Sequence, residues 1–329
     1  MVQPQAEPDE VTIRKAIFVR VATTISDFHG YTNTWSDAVA QFAGTGFRYL
    51  DFNFHSGYYP NSPFLGPDWM AEVEKAAATA QVLGFQFVQA HAPGYDPLNE
   101  NSDHEMGMLA VQRSIEACGY LGIPNIVVHP GCSTKYMQPD GKEAFWQLNQ
   151  QYFEKLYPAM EKYNVNVLIE NSGTANMEGK YFFFSGKEMA EFLDHCNHPL
   201  LHACWDTGHA NMDARDQYQD ILDLGSHLRA IHLADNFGVW DEHIAPFMGT
   251  LDLDALMQGL LAVDYKGYLT FESNNMLQRT GVWPHFRQEN PRIQQRKLQN
   301  PSLKVRRKAE GVLFEIGKYM LSAYDCFEE

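Results

Sequence analysis

The sequence lacks the features that mark membrane and secreted proteins. No stretch approaches the roughly 20 consecutive apolar residues that a membrane span needs. The first residues, Met1 to Glu10, are polar and acidic and lack the charged-then-apolar pattern of a signal peptide. These absences predict a cytoplasmic protein with no membrane contact.

Basic residues are scarce as well. The 329 residues include 25 Lys and Arg against 41 Asp and Glu, which gives a net charge of −16. Nucleic-acid affinity comes largely from Lys and Arg that neutralise phosphates, so this balance predicts no nucleic-acid partner. A small acidic substrate could still be bound by a local basic patch or by a metal ion.

Cysteine occurs without any recognised pairing pattern. The five cysteines are an odd number, and none forms a C-x-x-C pair, so reduced thiols are favoured. Cys132 stands out because it follows His129-Pro130-Gly131 in a predicted site loop. We favour a small residue lining a pocket over a nucleophile for Cys132.

Eight short apolar runs, rich in β-branched and aromatic residues, recur along the chain. They are near-continuous rather than alternating, as is typical of strands buried on both faces of a parallel sheet. The predicted strands are Ile17–Val21, Arg48–Phe52, Phe85–Ala90, Ile126–His129, Val165–Glu170, Leu200–Trp205, Ala230–Leu233 and Tyr268–Phe271.

Amphipathic segments separate these runs, and Gly84 and Gly122 supply helix-stop signals. The predicted helices are Pro67–Leu83, Met106–Leu121, Lys142–Tyr163, Gly186–Cys196, Asp216–Leu224, Leu253–Ala262 and Ser302–Tyr324. The alternation predicts the α/β class and a (β/α)8 TIM barrel, as one domain over residues 1–329. Its core spans about 16–273, and 274–329 form a C-terminal loop and helix. A doubly wound open sheet is disfavoured because no G-x-G-x-x-G turn follows the first strand.

Two long segments, 54–67 and 274–301, are predicted as extended loops. We expect the arginines of the second loop, from Arg279 to Arg296, to form a solvated surface rather than to contact a phosphate or another subunit. Aromatic residues in the predicted upper loops could line a sugar site or pack on one another; they are Tyr58, Tyr59, Phe64, Trp69, Trp240 and Phe247. The histidines before the sixth strand are expected to be structural; they are His195, His198 and His202.

Six consecutive predicted strands, the third to the eighth, end at or next to a histidine or a carboxylate. In chain order these residues are His91, His129, Glu170, Asp206, His232 and Glu272, with His209 shortly after Asp206. The carboxyl ends of barrel strands converge on one face, where active sites of this fold gather. Such groups are expensive to bury unless they are paired or bind a metal. Carboxylate and imidazole ligands suit Mn, Co, Mg or Zn.

The motifs Glu170-Asn171, Asp206-Thr207-Gly208-His209 and His232-Leu233-Ala234-Asp235, in this order, resemble those of the sugar phosphate isomerase/epimerase superfamily. This superfamily comprises xylose isomerase-like TIM barrels and AP endonuclease family 2 proteins. The resemblance runs from about Ala16 to Ser273. It implies a metal site formed by Glu170, Asp206, His232 and Glu272. It also implies that Glu170 and Glu272 are catalytic and move protons, and that His91 and His209 help to bind substrate.

The resemblance also extends to endonuclease IV, a three-zinc enzyme of the same superfamily. The chain has a counterpart for each of its ligands: His91, His129, Glu170, Asp206, His209, His232, Asp241, His243 and Glu272. Sugar-active relatives keep many of these residues, so we assign His129, Asp241 and His243, with His91 and His209, to substrate binding. The acidic charge favours a carbohydrate substrate over DNA.

The sequence therefore predicts a divalent-metal-dependent isomerase or epimerase of a sugar, sugar acid or keto-sugar, with manganese among the candidate metals. Protons would move through a metal-bound enediolate. Two alternatives stay open: a lyase that eliminates from a 3-keto-glycoside, and an endonuclease IV-like phosphodiester hydrolase. Whether the chain forms a homo-oligomer also stays open.

Overall fold

Eight parallel strands form a closed barrel in which each strand pairs with the next one along the chain and the last pairs with the first. The structure is a computed structural model that describes residues 17–59, 61–136 and 141–328. The strands are β1 (Arg20–Thr24), β2 (Tyr49–Asn53), β3 (Gln86–His91), β4 (Asn125–Val127), β5 (Asn166–Glu170), β6 (Leu201–Asp206), β7 (Leu228–Leu233) and β8 (Tyr268–Phe271). The closed barrel confirms the predicted (β/α)8 fold over the open sheet.

Helices lie between the strands and around the barrel. In the part of the chain that is described they are α1 (Trp35–Gln41), α2 (Met70–Leu83), α3 (His104–Leu121), α4 (Gly141–Glu154), α5 (Tyr157–Tyr163), α6 (Thr174–Met177), α7 (Gly186–Cys196), α8 (Thr207–Met212), α9 (Gln217–Leu224), α10 (Leu253–Ala262) and α11 (Leu303–Ala323). The bounds predicted for α7 and α10 are confirmed. The predicted stops after α2 and α3 are also confirmed, because Gly84 and Gly122 adopt φ values of 76° and 70° at the two C-caps.

Three predictions of local structure were wrong. The predicted helix Lys142–Tyr163 is two helices, because Pro158 cannot donate a backbone hydrogen bond and its ring clashes with the preceding turn. The first strand begins three residues later than predicted. Val19 pairs instead with Phe327 near the C-terminus. The short helices α1, α6 and α8 were not predicted.

The long helix α11 packs closely on the outside of the barrel near β1 and β8. A Cβ atom at Gly317 would lie 2.8 Å from side-chain atoms of both Val21 and Phe271, so only glycine permits this approach. The helix buries Leu313 and Leu321 but also the charged residues Arg306 and Glu310. Neither α11 nor any other helix in the described ranges has the length and apolar character to cross a membrane.

Candidate active site at the C-terminal end of the barrel

The candidate site is built by the alternation of side chains along the barrel strands. A small buried cluster inside the barrel, separate from the main core, consists of Val127, Leu168, Cys204 and Ala230. Side chains two positions apart on a strand face the same side. The next positions in the same alternation are therefore Glu170, Asp206 and His232 on their strands, and His129 two residues after the end of β4. The side chains inside the barrel thus change from mostly apolar to ionisable between one layer and the next, which is a step of two residues along the chain.

Glu170 lies at the centre of this layer. Its Oε1 accepts a short hydrogen bond from Nδ1 of His232. Its Oε2 lies 2.8 Å from Nε2 of His129 and 3.6 Å from Nε2 of His91. Burial alone would raise the pKa of Glu170, but the His232 imidazole and the hydrogen bonds from His129 and His91 hold it well below its usual range. The residue is therefore a buried carboxylate held by imidazoles.

Glu272 reaches the same imidazole from another side of the barrel. It follows β8, and its backbone N–H donates to the carbonyl of Leu233 at 3.0 Å. Its Oε1 lies 3.9 Å from Nδ1 of His232. Burial raises the pKa of Glu272, but His232 and His91 outweigh it, so the pKa lies below its usual value. Two carboxylates from the non-adjacent strands β5 and β8 thus meet at one ring nitrogen.

Asp206 is fixed at the junction of β6 and α8. Its Oδ1 accepts the backbone N–H of His209 at 2.7 Å and caps the N-terminus of α8. The side chain of Asn171 bonds both the N–H and the carbonyl of Asp206, at 2.7 and 2.9 Å. Burial raises the pKa of Asp206 to about 6; His209 opposes this rise, and the nearby carboxylates, Glu170 first, add to it. Its Oδ2 is buried and has no hydrogen-bond partner among the described residues.

A second group of charges lies beside Asp206. Oδ2 of Asp241 lies 3.1 Å from Nε2 of His209 and 3.0 Å from Nε2 of His243. Burial alone would lower the pKa of the His243 imidazole, but the neighbouring Asp241 raises it to about 10. The backbone of His243 has a positive φ of 49°, which is uncommon outside glycine and typical of functional sites. This conformation brings Nδ1 of His243 within 2.7 Å of the Glu272 carbonyl.

These donors suit a divalent cation. One ligand atom from each residue lies within 4.8 Å of the others in the groups His91–His232–Glu272 and Glu170–Asp206–His209. The atoms are carboxylate oxygens and imidazole nitrogens, which bind Mn, Co, Zn or Mg. Oδ2 of Asp206 is buried without a hydrogen-bond partner among the described residues, near other carboxylates, so a cation bound there would stabilise it.

Two cavities open from this group of residues. A small one of about 180 Å³ lies beside Glu170, His129 and His209, and its wall includes the apolar side chains of Met177, Phe182 and Phe183. A larger cleft of about 960 Å³ begins at His91, His129, His243 and Glu272. Among the described residues that line either cavity there is no Lys or Arg.

The structure also locates other residues singled out in the sequence. Cys132 lines the small cavity, and its thiol donates to Asp96 at 3.2 Å. Burial and Asp96 raise the pKa of Cys132 to about 12, which makes it a poor nucleophile. His198 lies far from the strand ends and stacks on Tyr157 at 3.8 Å, and His202 is near the start of β6.

The aromatic residues of the upper loops divide between the two alternatives left open by the sequence. Tyr59 and Phe64 line the large cleft, but Phe64 is fully buried and packs on Trp35 and Trp69. Trp240 and Phe247 are exposed, and neither lines the two cavities.

Three arginines of the second long loop, which was predicted to be a solvated surface, are exposed or partly exposed and also donate to backbone carbonyls. Arg279 donates to the carbonyl of His29 at 3.0 Å, and Arg287 donates to that of Leu298 at 2.8 Å. Arg296 donates to the carbonyl of Asn290 at 2.6 Å. A loop of this length without helix or strand leaves many backbone acceptors unpaired, and guanidinium groups satisfy them.

The sequence analysis did not assign two buried polar residues on the barrel strands, Asp51 and Cys204, to the site. Asp51 on β2 is fully buried, and burial raises its pKa to about 6. Cys204 lies close enough to Glu170 and His232 to share an ion with them, although burial raises the pKa of its thiol to about 12. Cys204 lies two positions before Asp206 on β6, so the alternation of side chains could have identified it.

The chain belongs to the family described as xylose isomerase-like TIM barrel, whose model matches residues 39–295. An uncharacterized protein, y4fM of Sinorhizobium fredii, is 24% identical over 251 residues, which are 69% of this chain and 77% of that protein. A ketose 3-epimerase of Arthrobacter globiformis is 25% identical over 118 residues, which are 33% of this chain and 38% of the epimerase.

Solved structures show the same fold. A 3-keto-D-glucoside 4-epimerase from E. coli superposes with a TM-score of 0.62 at 16% identity, over 90% of this chain and 98% of that one. Homologues and structural neighbours of this chain therefore include sugar epimerases.

Proposed function

We propose that this protein is a divalent-metal-dependent isomerase or epimerase that acts on a neutral sugar, sugar acid or keto-sugar. The observation that carries the proposal is the meeting of Glu170 and Glu272 at the imidazole of His232. Two buried carboxylates from non-adjacent strands approach one nitrogen, beside cavities that can admit a substrate. A pair of such groups can remove a proton and return it at a different face or carbon.

Glu170, Asp206, His232 and Glu272 would hold the metal ion. When bound, the ion would polarise a carbonyl and an adjacent hydroxyl of the substrate and so acidify the C–H bond between them. One glutamate then accepts the proton from that carbon, and the same or the other glutamate returns it. Because both carboxylates are held charged by neighbouring imidazoles, each is available as a base at neutral pH.

The remaining polar residues would orient these groups and the substrate. His129 and His91 contact the Glu170 carboxylate directly and also line the large cleft. His209 and His243 share Asp241, so each ring is held with its Nε2 toward this carboxylate. We assign substrate binding to these four histidines with Asp241, since hydrogen-bonding groups on a rigid support can fix the hydroxyl groups of a sugar.

The absence of Lys and Arg from the described lining residues favours a neutral sugar over a phosphorylated one. A phosphate group is usually bound by Arg, Lys or a helix N-terminus. The net charge of −16 points the same way. The similarity to a ketose 3-epimerase and to a 3-keto-D-glucoside 4-epimerase supports a carbohydrate substrate.

A phosphodiester hydrolase is the second candidate, and one observation favours it. His91, His129, His209, Asp241 and His243 lie around the four proposed ligands, so the larger set that the sequence shares with endonuclease IV is assembled on one face. The same proton abstraction could also lead to elimination, so a lyase would share the first step and differ only in its product.

Solvent-deuterium exchange tests the proposal. The metal-loaded enzyme is incubated in D2O with a panel of ketoses and 3-keto-sugars, and incorporation at the carbon beside the carbonyl is followed by NMR. We expect deuterium in the epimer or isomer of at least one compound. Release of a leaving group would identify a lyase. Efficient nicking of an abasic duplex, with no exchange into any sugar, would overturn the proposal in favour of the hydrolase.

A further inference from the structure

The large cleft extends well beyond the four proposed metal ligands. Its wall contains His91, His129 and Glu272, and it also includes residues of the long loops outside the ligand group, among them Tyr59 and Trp283. At roughly 30 Å³ for each water molecule, about 960 Å³ corresponds to on the order of thirty waters. A monosaccharide has about a dozen non-hydrogen atoms and would leave much of this space unfilled.

The chemistry of the cleft is that of a carbohydrate site rather than a charged one. Its wall contains the amide side chains of Asn33, Asn53, Asn61 and Asn274 together with several hydroxyl groups. The only charged residues among the described lining positions are Glu72 and Glu272, apart from histidines. Amides and hydroxyls can donate to and accept from neutral hydroxyl groups, whereas the described wall contains no Lys or Arg that would bind an anion.

Two exposed aromatic side chains line this cleft. Tyr59 is 44% exposed and Trp283 is 51% exposed, although large aromatic groups usually gain stability by burial. Both belong to the long loops that follow β2 and β8. An aromatic face next to hydrogen-bonding groups suits a ring that presents apolar C–H groups on its face and polar groups at its edge.

The loop that carries Trp283 is held in place. The side chain of Asn275 donates to the carbonyl of Trp283 at 3.2 Å, and Arg279 donates to the carbonyl of His29 on the opposite rim at 3.0 Å. A Cβ atom at Gly30 would lie 1.9 Å from Nη1 of Arg279, so glycine is needed for this contact. The cleft wall therefore joins the loops after β1 and β8.

We infer that the substrate is a neutral glycoside, in which the reacting sugar carries a second ring that binds against Trp283 and Tyr59. This inference rests on the proposed function, because it takes the sugar at the metal ligands as the reacting part. The second ring is either another sugar or an aromatic group, since both present an apolar face to an indole or phenol ring.

Calorimetric titration of the metal-loaded enzyme tests the inference with three probes: glucose, phenyl β-D-glucoside and cellobiose. We expect at least one two-ring probe to bind about tenfold more tightly than glucose. Tighter binding of phenyl β-D-glucoside would identify the second ring as aromatic, and tighter binding of cellobiose would identify it as a sugar. The substitution Trp283→Ala should remove most of the difference in affinity between the two-ring probe and glucose. Phe286→Ala, at a 65% exposed position of the same loop that does not line the cleft, should keep it.

Equal affinity for one-ring and two-ring probes, no binding of any probe, or an unchanged preference in Trp283→Ala would overturn the inference. These failures are distinct from failure of the proposed function. Deuterium exchange into a free ketose without a preference for two-ring probes would refute only the glycoside assignment. A two-ring preference without exchange into any keto-sugar would refute the isomerase or epimerase assignment.

Discussion

Two clusters of buried charge differ in what surrounds them. At the strand ends, Glu170 and Glu272 share the imidazole of His232 beside two cavities. Between the turn after β1 and helix α11, Arg306 contacts Asp27 at 3.4 Å and Glu310 at 2.6 Å. Asp27 also accepts from Thr23 at 2.6 Å, and Arg306 donates to the carbonyl of Asn274 at 2.8 Å. None of the three charged residues of this second cluster lines either cavity.

The comparison shows that burial of charge alone does not identify an active site. In the second cluster the permanently charged guanidinium group of Arg306 contacts both Asp27 and Glu310. All three residues are buried. At the strand ends the partners are imidazoles, which can also bind a metal ion or hydrogen-bond a substrate. We therefore expect substitutions in the first cluster to alter chemistry and substitutions in the second to alter stability.

The largest effect is expected from Glu170→Gln and Glu272→Gln. Glutamine keeps the volume and one ligand oxygen but cannot act as a base. Each variant should fold normally and lose at least about 100-fold in turnover, the scale of general acid–base catalysis. Exchange measurements separate the roles, because the variant that lacks the base should stop incorporating deuterium. Circular dichroism and turnover on the sugar identified by the exchange screen provide the check.

Glu188→Gln is the matched control for these variants. Glu188 is also buried, but it accepts a hydrogen bond from Tyr181 at 2.6 Å and does not line either cavity. Its turnover should stay within a few-fold of the wild-type value. Near-normal turnover in both Glu170→Gln and Glu272→Gln, with metal bound, would refute the two-glutamate mechanism.

Arg306→Met should lower the free energy of unfolding by about 3–5 kcal/mol, because it leaves two buried acids without their cation. Denaturant unfolding measures the change. Arg307→Met is the control: Arg307 is the exposed neighbour and contacts only backbone carbonyls, so its loss should be smaller than about 1 kcal/mol. Equal losses in the two variants would mean that the buried cluster contributes no special stability.

Glu310→Gln should change the pH dependence of stability by a smaller amount. Burial and Asp27 raise the pKa of Glu310 well above its usual value, although Arg306 opposes them. A raised carboxyl pKa stabilises the folded protein at low pH, and this contribution is lost as pH rises above the unfolded-state pKa. The variant should therefore gain stability relative to wild type from about pH 5 upward, by at most about 1.4 kcal/mol per pH unit. A constant difference across this range would contradict the assignment.

Much of the barrel could be predicted because each buried parallel strand is a local apolar run. The site face followed from the same pattern, since every strand from β3 to β8 has a histidine or a carboxylate within two residues of its C-terminal end. The prediction failed where local signals are weak or compete. The break between α4 and α5 depends on Pro158 inside an otherwise helical pattern, and the late start of β1 depends on pairing of Val19 with Phe327.

The contacts that distinguish the two charge clusters could not be predicted from sequence. Arg306 is 279 positions from Asp27, and no local pattern indicates that the two meet. Two further contacts depend on how neighbouring loops pack. One is the pair of hydrogen bonds between Asn171 and Asp206, and the other is the contact of Asp241 with both His209 and His243. Tertiary packing, rather than propensity, determines such contacts.

The metal content of the purified protein tests the central claim most directly. Elemental analysis after purification without chelators should give one divalent ion per chain, and Asp206→Asn should lower this content, because Asp206 has a buried oxygen with no protein partner among the described residues. EDTA should abolish sugar exchange, and the added metal should restore it. No bound metal with full activity in EDTA would contradict the account, and three zinc ions per chain would favour the hydrolase instead.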